Sequence, residues 1–163
     1  MFKKLSAFIV MLCMIFCFTA CENNESFEEK GDYLTGNSWE GTDGSLIDLE
    51  TDGTYKFYRS SADKTNNYYS GTFEVLNGQT AVDYIVEEYG FSEEAQRTVM
   101  EKYRVEDQYY YVLVLNQNEC IVDGQNTLSE PTKTEYFGYY AISDEHLNFT
   151  SLKTMGQMDF YKK

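Results

Sequence analysis

The chain is short of the residue types on which most catalytic and metal-binding sites depend. Its 163 residues include one proline and one histidine. His146 lies in Ser143-Asp144-Glu145-His146, a segment that reads as an exposed hairpin turn. A lone histidine cannot complete a zinc site, and it offers a distant Cys120 no dependable base. No serine stands in a Gly-x-Ser-x-Gly elbow. Asp43, Asp48 and Asp52 lack the spacing of an EF-hand loop, and aspartates next to glycine usually serve turns. Carboxylates are plentiful enough for a two-carboxylate glycosidase pair to arise by chance. No catalytic set, metal centre or cofactor motif emerges, so a non-enzymatic role is expected. Basic residues are also scarce: 13 Lys and Arg face 27 Asp and Glu, for a net charge of −14. Such a field repels phosphate backbones and excludes a nucleic-acid partner. The longest apolar run, Leu5 to Phe18, has about fourteen residues, too few to span a bilayer.

That run has a different logic. Lys3 and Lys4 precede it, and Phe18-Thr19-Ala20-Cys21 closes it. A basic start, a short apolar stretch and small residues at its end form a secretory signal pattern. The last four residues resemble the lipobox of bacterial lipoproteins, with Phe18 where that family usually has Leu. The resemblance implies cleavage before Cys21, acylation of that residue (diacylglyceryl and palmitate) and an extracytoplasmic protein anchored in the cell membrane. The chain then divides into a signal peptide at 1–20, a lipidated cysteine with a flexible acidic tether at 21–33, and a single domain at 34–163. Cys13 and Cys17 would leave with the signal, so Cys120 has no partner and reads as a buried, inert thiol.

The domain is rich in aromatics, with 15 Tyr and 11 Phe, which favour pleated, half-buried surfaces. Residues 38–42, 45–50, 54–59 and 68–76 alternate apolar with polar side chains, and Asp43-Gly44 and Asp52-Gly53 supply tight turns. The period then changes. Val82, Ile85, Val86 and Tyr89 occupy one helical face, and Gly90 stands where a helix would stop. Ser92 with Glu93 and Glu94 opens a second helix, whose expected apolar stripe is Ala95, Val99 and Tyr103. Strands resume at 107–115, apolar on both faces, and continue at 119–122, 134–142, 147–151 and 158–161. Tyr69-x-Gly71-x-Phe73 is echoed by Tyr136-x-Gly138-x-Tyr140. A glycine among aromatics in a strand marks a sharp bend. The expected fold is mainly β: an antiparallel up-and-down barrel or strongly curved sheet of about eight to nine strands, with a helical pair inserted at about 79–103.

The opening Gly36-Asn37-Ser38-Trp39-Glu40-Gly41 and the meander after it resemble lipocalin-like (calycin) barrels. Those proteins pack a late-strand arginine on the tryptophan, whereas no Arg here follows Arg104. A barrel of this type would hold a small apolar or amphipathic ligand in its mouth. Tyr55, Tyr69, Tyr111 and Tyr136 are the candidate lining residues, because they sit on strand faces and carry a polar hydroxyl. Two other roles stay open. An envelope protein could dock on outward tyrosines such as Tyr58, Tyr68, Tyr110 and Tyr139, or the interior could be filled and the protein purely structural.

Overall fold

A computed structural model describes residues 33–163. The expected signal segment, Cys21 and nearly all of the tether lie outside those residues. Nine antiparallel strands are present among them: β1 (Asn37–Gly41), β2 (Leu46–Leu49), β3 (Thr54–Tyr58), β4 (Tyr68–Asn77), β5 (Tyr110–Val122), β6 (Gln125–Asn126), β7 (Thr132–Ala141), β8 (His146–Ser151) and β9 (Gln157–Lys162). Two helices, α1 (Gly78–Tyr89) and α2 (Glu93–Tyr103), are inserted between β4 and β5. The strands run in the order β4-β3-β2-β1-β9-β8-β7-β5, and β5 pairs back onto β4. Eight strands therefore close a barrel, and β6 is a short extra strand on the end of β5. Each barrel strand neighbours those before and after it in the chain, the up-and-down plan that tight Asp-Gly turns favour. The seam between first and last strands is the β1–β9 pairing, with Trp39 opposite Lys162 and Gly41 opposite Phe160.

Closure depends on the two glycines of the echoed pattern. A Cβ on Gly71 would lie 1.9 Å from the carbonyl oxygen of Asn116, and one on Gly138 would lie 1.6 Å from that of Asn148. Only a residue without a side chain lets neighbouring backbones approach this closely. At Gly71 the β4–β5 register also shifts, so that Ser70 faces Glu119 while Gly71 faces Gln117. This bulge bends β5 without interrupting it. Residues 119–122, expected as a separate strand, are the far end of β5.

Two apolar clusters share β5. Inside the barrel, Trp39, Ile47, Leu49, Tyr55, Leu113, Leu115, Phe149 and Phe160 are buried, with Phe57, Phe73, Val75 and Tyr140 partly buried against them. Outside it, Ala81, Val82 and Ile85 of α1 cover Tyr110, Val112 and Val114. The second face of β5 thus has its own cover, as its unbroken apolar sequence requires. Helix α2 begins as expected, with the Ser92 side chain accepting from the Ala95 N–H and two glutamates in the first turn. Its buried face differs from the expected one. Gln96 and Met100 point inward, and Ala95 and Tyr103 are exposed. The Tyr110 hydroxyl donates to Gln96 Oε1 at 2.6 Å inside the cluster, which turns the polar Gln96 inward.

Candidate functional site in the barrel mouth

The two ends of the barrel differ. At one end, residues 33–36 fold across the opening. Leu34 is fully buried, and Trp39 Nε1 donates to its carbonyl at 3.2 Å. Tyr33 stacks on Tyr140 with centroids 4.8 Å apart, and Tyr109 packs edge-on against Tyr33 at 5.8 Å. Tyr140 also meets Trp39 edge-on at 5.8 Å, so an aromatic ring packs on this tryptophan. That end is closed by side chains.

The opposite end carries the β1–β2, β3–β4, β5–β7 and β8–β9 connections. It opens into a cavity of about 320 Å³. Ile47, Phe57, Leu115, Phe149 and Met158 form its apolar wall, and Tyr55, Tyr69, Tyr136, Gln117 and Thr134 contribute the polar groups. Three of the four candidate tyrosines therefore meet in one cavity. Tyr111 does not join them. It is fully buried toward the closed end, where its hydroxyl donates to the Asn148 carbonyl at 2.8 Å beside Gly138. Strand alternation put all four on inward faces but carried no information about depth along the barrel.

Tyr55 is the most informative of the three. It is only 3% exposed, and its hydroxyl has no hydrogen-bond partner among the described residues. Among the described residues no side-chain oxygen or nitrogen is both sealed away and unpaired, so this hydroxyl faces the cavity space. Burial raises its pKa, with the neighbouring Tyr136 adding to the shift, so the group is neutral at physiological pH. Burial likewise raises Tyr136. Tyr69 sits at the lip, where Arg59 Nε donates to its hydroxyl at 3.0 Å and the guanidinium lies 5.3 Å from the ring centroid.

The lip is braced. Asp63 accepts from the backbone of Thr65 and Asn66 and from the Asn67 side chain, fixing the β3–β4 loop. Gly124 N donates to the Asn66 carbonyl at 3.1 Å, and Asp123 N donates to Asn67 Oδ1, which ties that loop to the turn after β5. A mouth held in this way suits a pre-formed pocket.

The remaining candidates lie elsewhere. Asp43 and Asp52 each spend one oxygen on a turn, accepting from the backbone and hydroxyl of Ser45 and of Thr54. Asp48 accepts from Ser38 and pairs with Lys64 at 3.5 Å. His146 is half-buried rather than an exposed turn residue. It opens β8, bonds Asp159 Oδ1 at 2.8 Å and stacks on Tyr161. Cys120 is half-buried opposite Tyr69 on the barrel wall, not sealed in the core. Of the outward tyrosines, Tyr58 and Tyr110 are buried, and Tyr68 and Tyr139 are partly covered. Tyr139 belongs to an outer row in which Tyr103 stacks on it at 5.3 Å and His146 meets it at 6.4 Å, with Tyr161 beyond. Comparison with protein-family models, curated proteins and solved structures finds no match.

Proposed function

We propose that the protein is a lipid-anchored, extracytoplasmic binding protein whose lipocalin-like barrel takes a small amphipathic ligand into its mouth. The observation that carries the reading is the cavity of about 320 Å³ with the unpartnered Tyr55 hydroxyl inside it. Apolar walls supply affinity, and a few convergent polar groups fix orientation. The anchor rests on the Lys3, Lys4 and Phe18-Thr19-Ala20-Cys21 pattern. Stable attachment needs more than one acyl chain, which a diacylglyceryl group provides. Thermal unfolding of the full chain against a panel of small amphiphiles tests the reading, because a ligand selective for the folded state raises its apparent stability. A rise that disappears in Tyr55→Phe or Tyr136→Phe is expected, and no rise with any compound defeats the carrier role. In cells, wild-type protein should begin at Cys21 and partition with membranes, and Cys21→Ala should be released or remain uncleaved.

A second reading, docking of an envelope protein, is favoured by the outer row of Tyr103, Tyr139, His146 and Tyr161. Tyr103 and Tyr161, 51% and 45% exposed, are the most exposed aromatic rings among the described residues.

A further inference from the structure

This inference rests on the binding reading above and names the ligand class. Three observations limit what the mouth can hold. The first is size. A cavity of about 150 Å³ accommodates benzene, so one of about 320 Å³ takes roughly a dozen non-hydrogen atoms. A long acyl chain would leave much of its length outside this cavity. The second is shape and polarity. The wall combines Phe57, Phe149, Tyr55 and Tyr136 with aliphatic Ile47, Leu115 and Met158, which suits one ring or a short branched body. The Tyr55 hydroxyl, nearly sealed and unpartnered, awaits one hydrogen bond from whatever enters.

The third observation is charge. Arg59, the residue after β3, does not line the cavity but stands beside it, bonded to the hydroxyl of Tyr69, which does. Among the described residues it forms no ion pair, as is also true of Lys56, Lys102, Arg104 and Lys153, but only Arg59 bonds a tyrosine that lines the cavity. No Asp or Glu lines the cavity. The chain as a whole is strongly acidic, but charges farther than about 8 Å are largely screened at physiological ionic strength. At the lip the nearest carboxylate described above is that of Asp63, and its oxygens are taken up by Thr65, Asn66 and Asn67 of its own loop.

We infer that the barrel mouth binds a compact organic anion: an aromatic or short branched body of about a dozen heavy atoms seated against Tyr55 and Phe149, with its carboxylate at Arg59. Arg59 is then the specificity-determining residue, and Tyr55 positions the buried part of the ligand.

Calorimetric titration of the full chain with 3-phenylpropionate, its uncharged amide and 3-phenylpropylammonium tests this. The acid should bind about tenfold more tightly than the amide, a modest ratio because an exposed lip weakens a charge-assisted bond. Arg59→Gln should bring that ratio to about one while leaving amide binding in place. Lys102→Gln, which removes an exposed cation on α2, should leave the ratio unchanged. Equal binding of acid and amide by the wild type, or tighter binding of the ammonium compound, overturns the inference and leaves the cavity reading standing. Tighter binding of palmitate than of 3-phenylpropionate overturns the size limit. No binding of any of these compounds overturns the inference, and the wider amphiphile panel then decides the cavity reading separately.

Discussion

Gly138 illustrates how much single positions carry in this molecule. Its missing side chain lets β7 and β8 touch where the barrel turns, and it leaves room for the Tyr111 hydroxyl to reach Asn148. Gly138→Ala places a methyl group into a backbone carbonyl and should destabilise the domain by about 2–3 kcal/mol, as overpacking in a rigid site does. Gly44→Ala has free space around it and only the φ of +82° to contend with, so a loss of about 1 kcal/mol is expected there. Urea midpoints for the two variants check the contrast, and equal losses would show that the close approach is not the bend. The sequence disclosed both bending glycines, because a glycine flanked by aromatics at alternating positions has few other uses. It did not disclose that Tyr111 is structural while Tyr55 faces open space. Both are inward tyrosines, and only three-dimensional depth separates them. His146 was misread for a related reason. Its partner Asp159 comes from another strand, thirteen residues away, and no local pattern marks the pair.

At the scale of elements, the existence and end of α1 were legible, although its buried face also takes in Ala81 and leaves Val86 and Tyr89 only partly covered. Val82, Ile85, Val86 and Tyr89 recur at helical spacing, and Gly90 ends the helix in the left-handed conformation with φ 68°. Its rotation against the barrel is fixed at the far end, where the Tyr84 and Tyr89 hydroxyls and Lys133 all donate to the Glu135 carboxylate. Ile85→Ala should cost about 2–4 kcal/mol, because the residue is fully buried between α1 and β5 and the cavity left behind cannot fill easily. Val86→Ala, on the half-buried flank of the same helix, should cost less than half as much. Denaturant unfolding measures both. α2 was legible in its start but not in its buried face. The local pattern ranked Ala95 and Val99 above Gln96, and the Tyr110 hydroxyl reversed that order from a different strand.

For the whole molecule, pH sets both limits of stability. Burial pushes the Glu135 carboxyl up, but hydrogen bonds from Lys133, Tyr84 and Tyr89 outweigh it and hold the group below its ordinary 4.5. The Asn148 amide, opposed by burial and joined by His146, holds Asp159 below 3.8. A carboxyl depressed by folding stabilises the native state above its ordinary pKa, and that stabilisation is lost as pH falls through the folded value. Stability should therefore fall as pH drops below the ordinary carboxyl values of 4.5 and 3.8, less steeply in Glu135→Gln, as followed by urea unfolding. Tyrosines act in the opposite sense. Burial, with a contribution from Glu135, pushes Tyr89 up to about 12, and burial raises Tyr110 and Tyr111 above the ordinary 10. Neutral phenols in the fold thus favour the native state up to that ordinary value, and the advantage drains away as pH climbs beyond it. The β1–β9 seam has a consequence of another kind. Until β9 has emerged, the other strands can form only an open sheet, with β1 and β8 as unpaired edges. Such edges recruit strands from other chains. A nascent polypeptide of this plan must stay soluble until Gln157–Lys162 has been made, because only then can its ring shut. The abundant carboxylates, which make encounters between half-finished copies mutually repulsive, fit that interval as well as they fit the finished barrel.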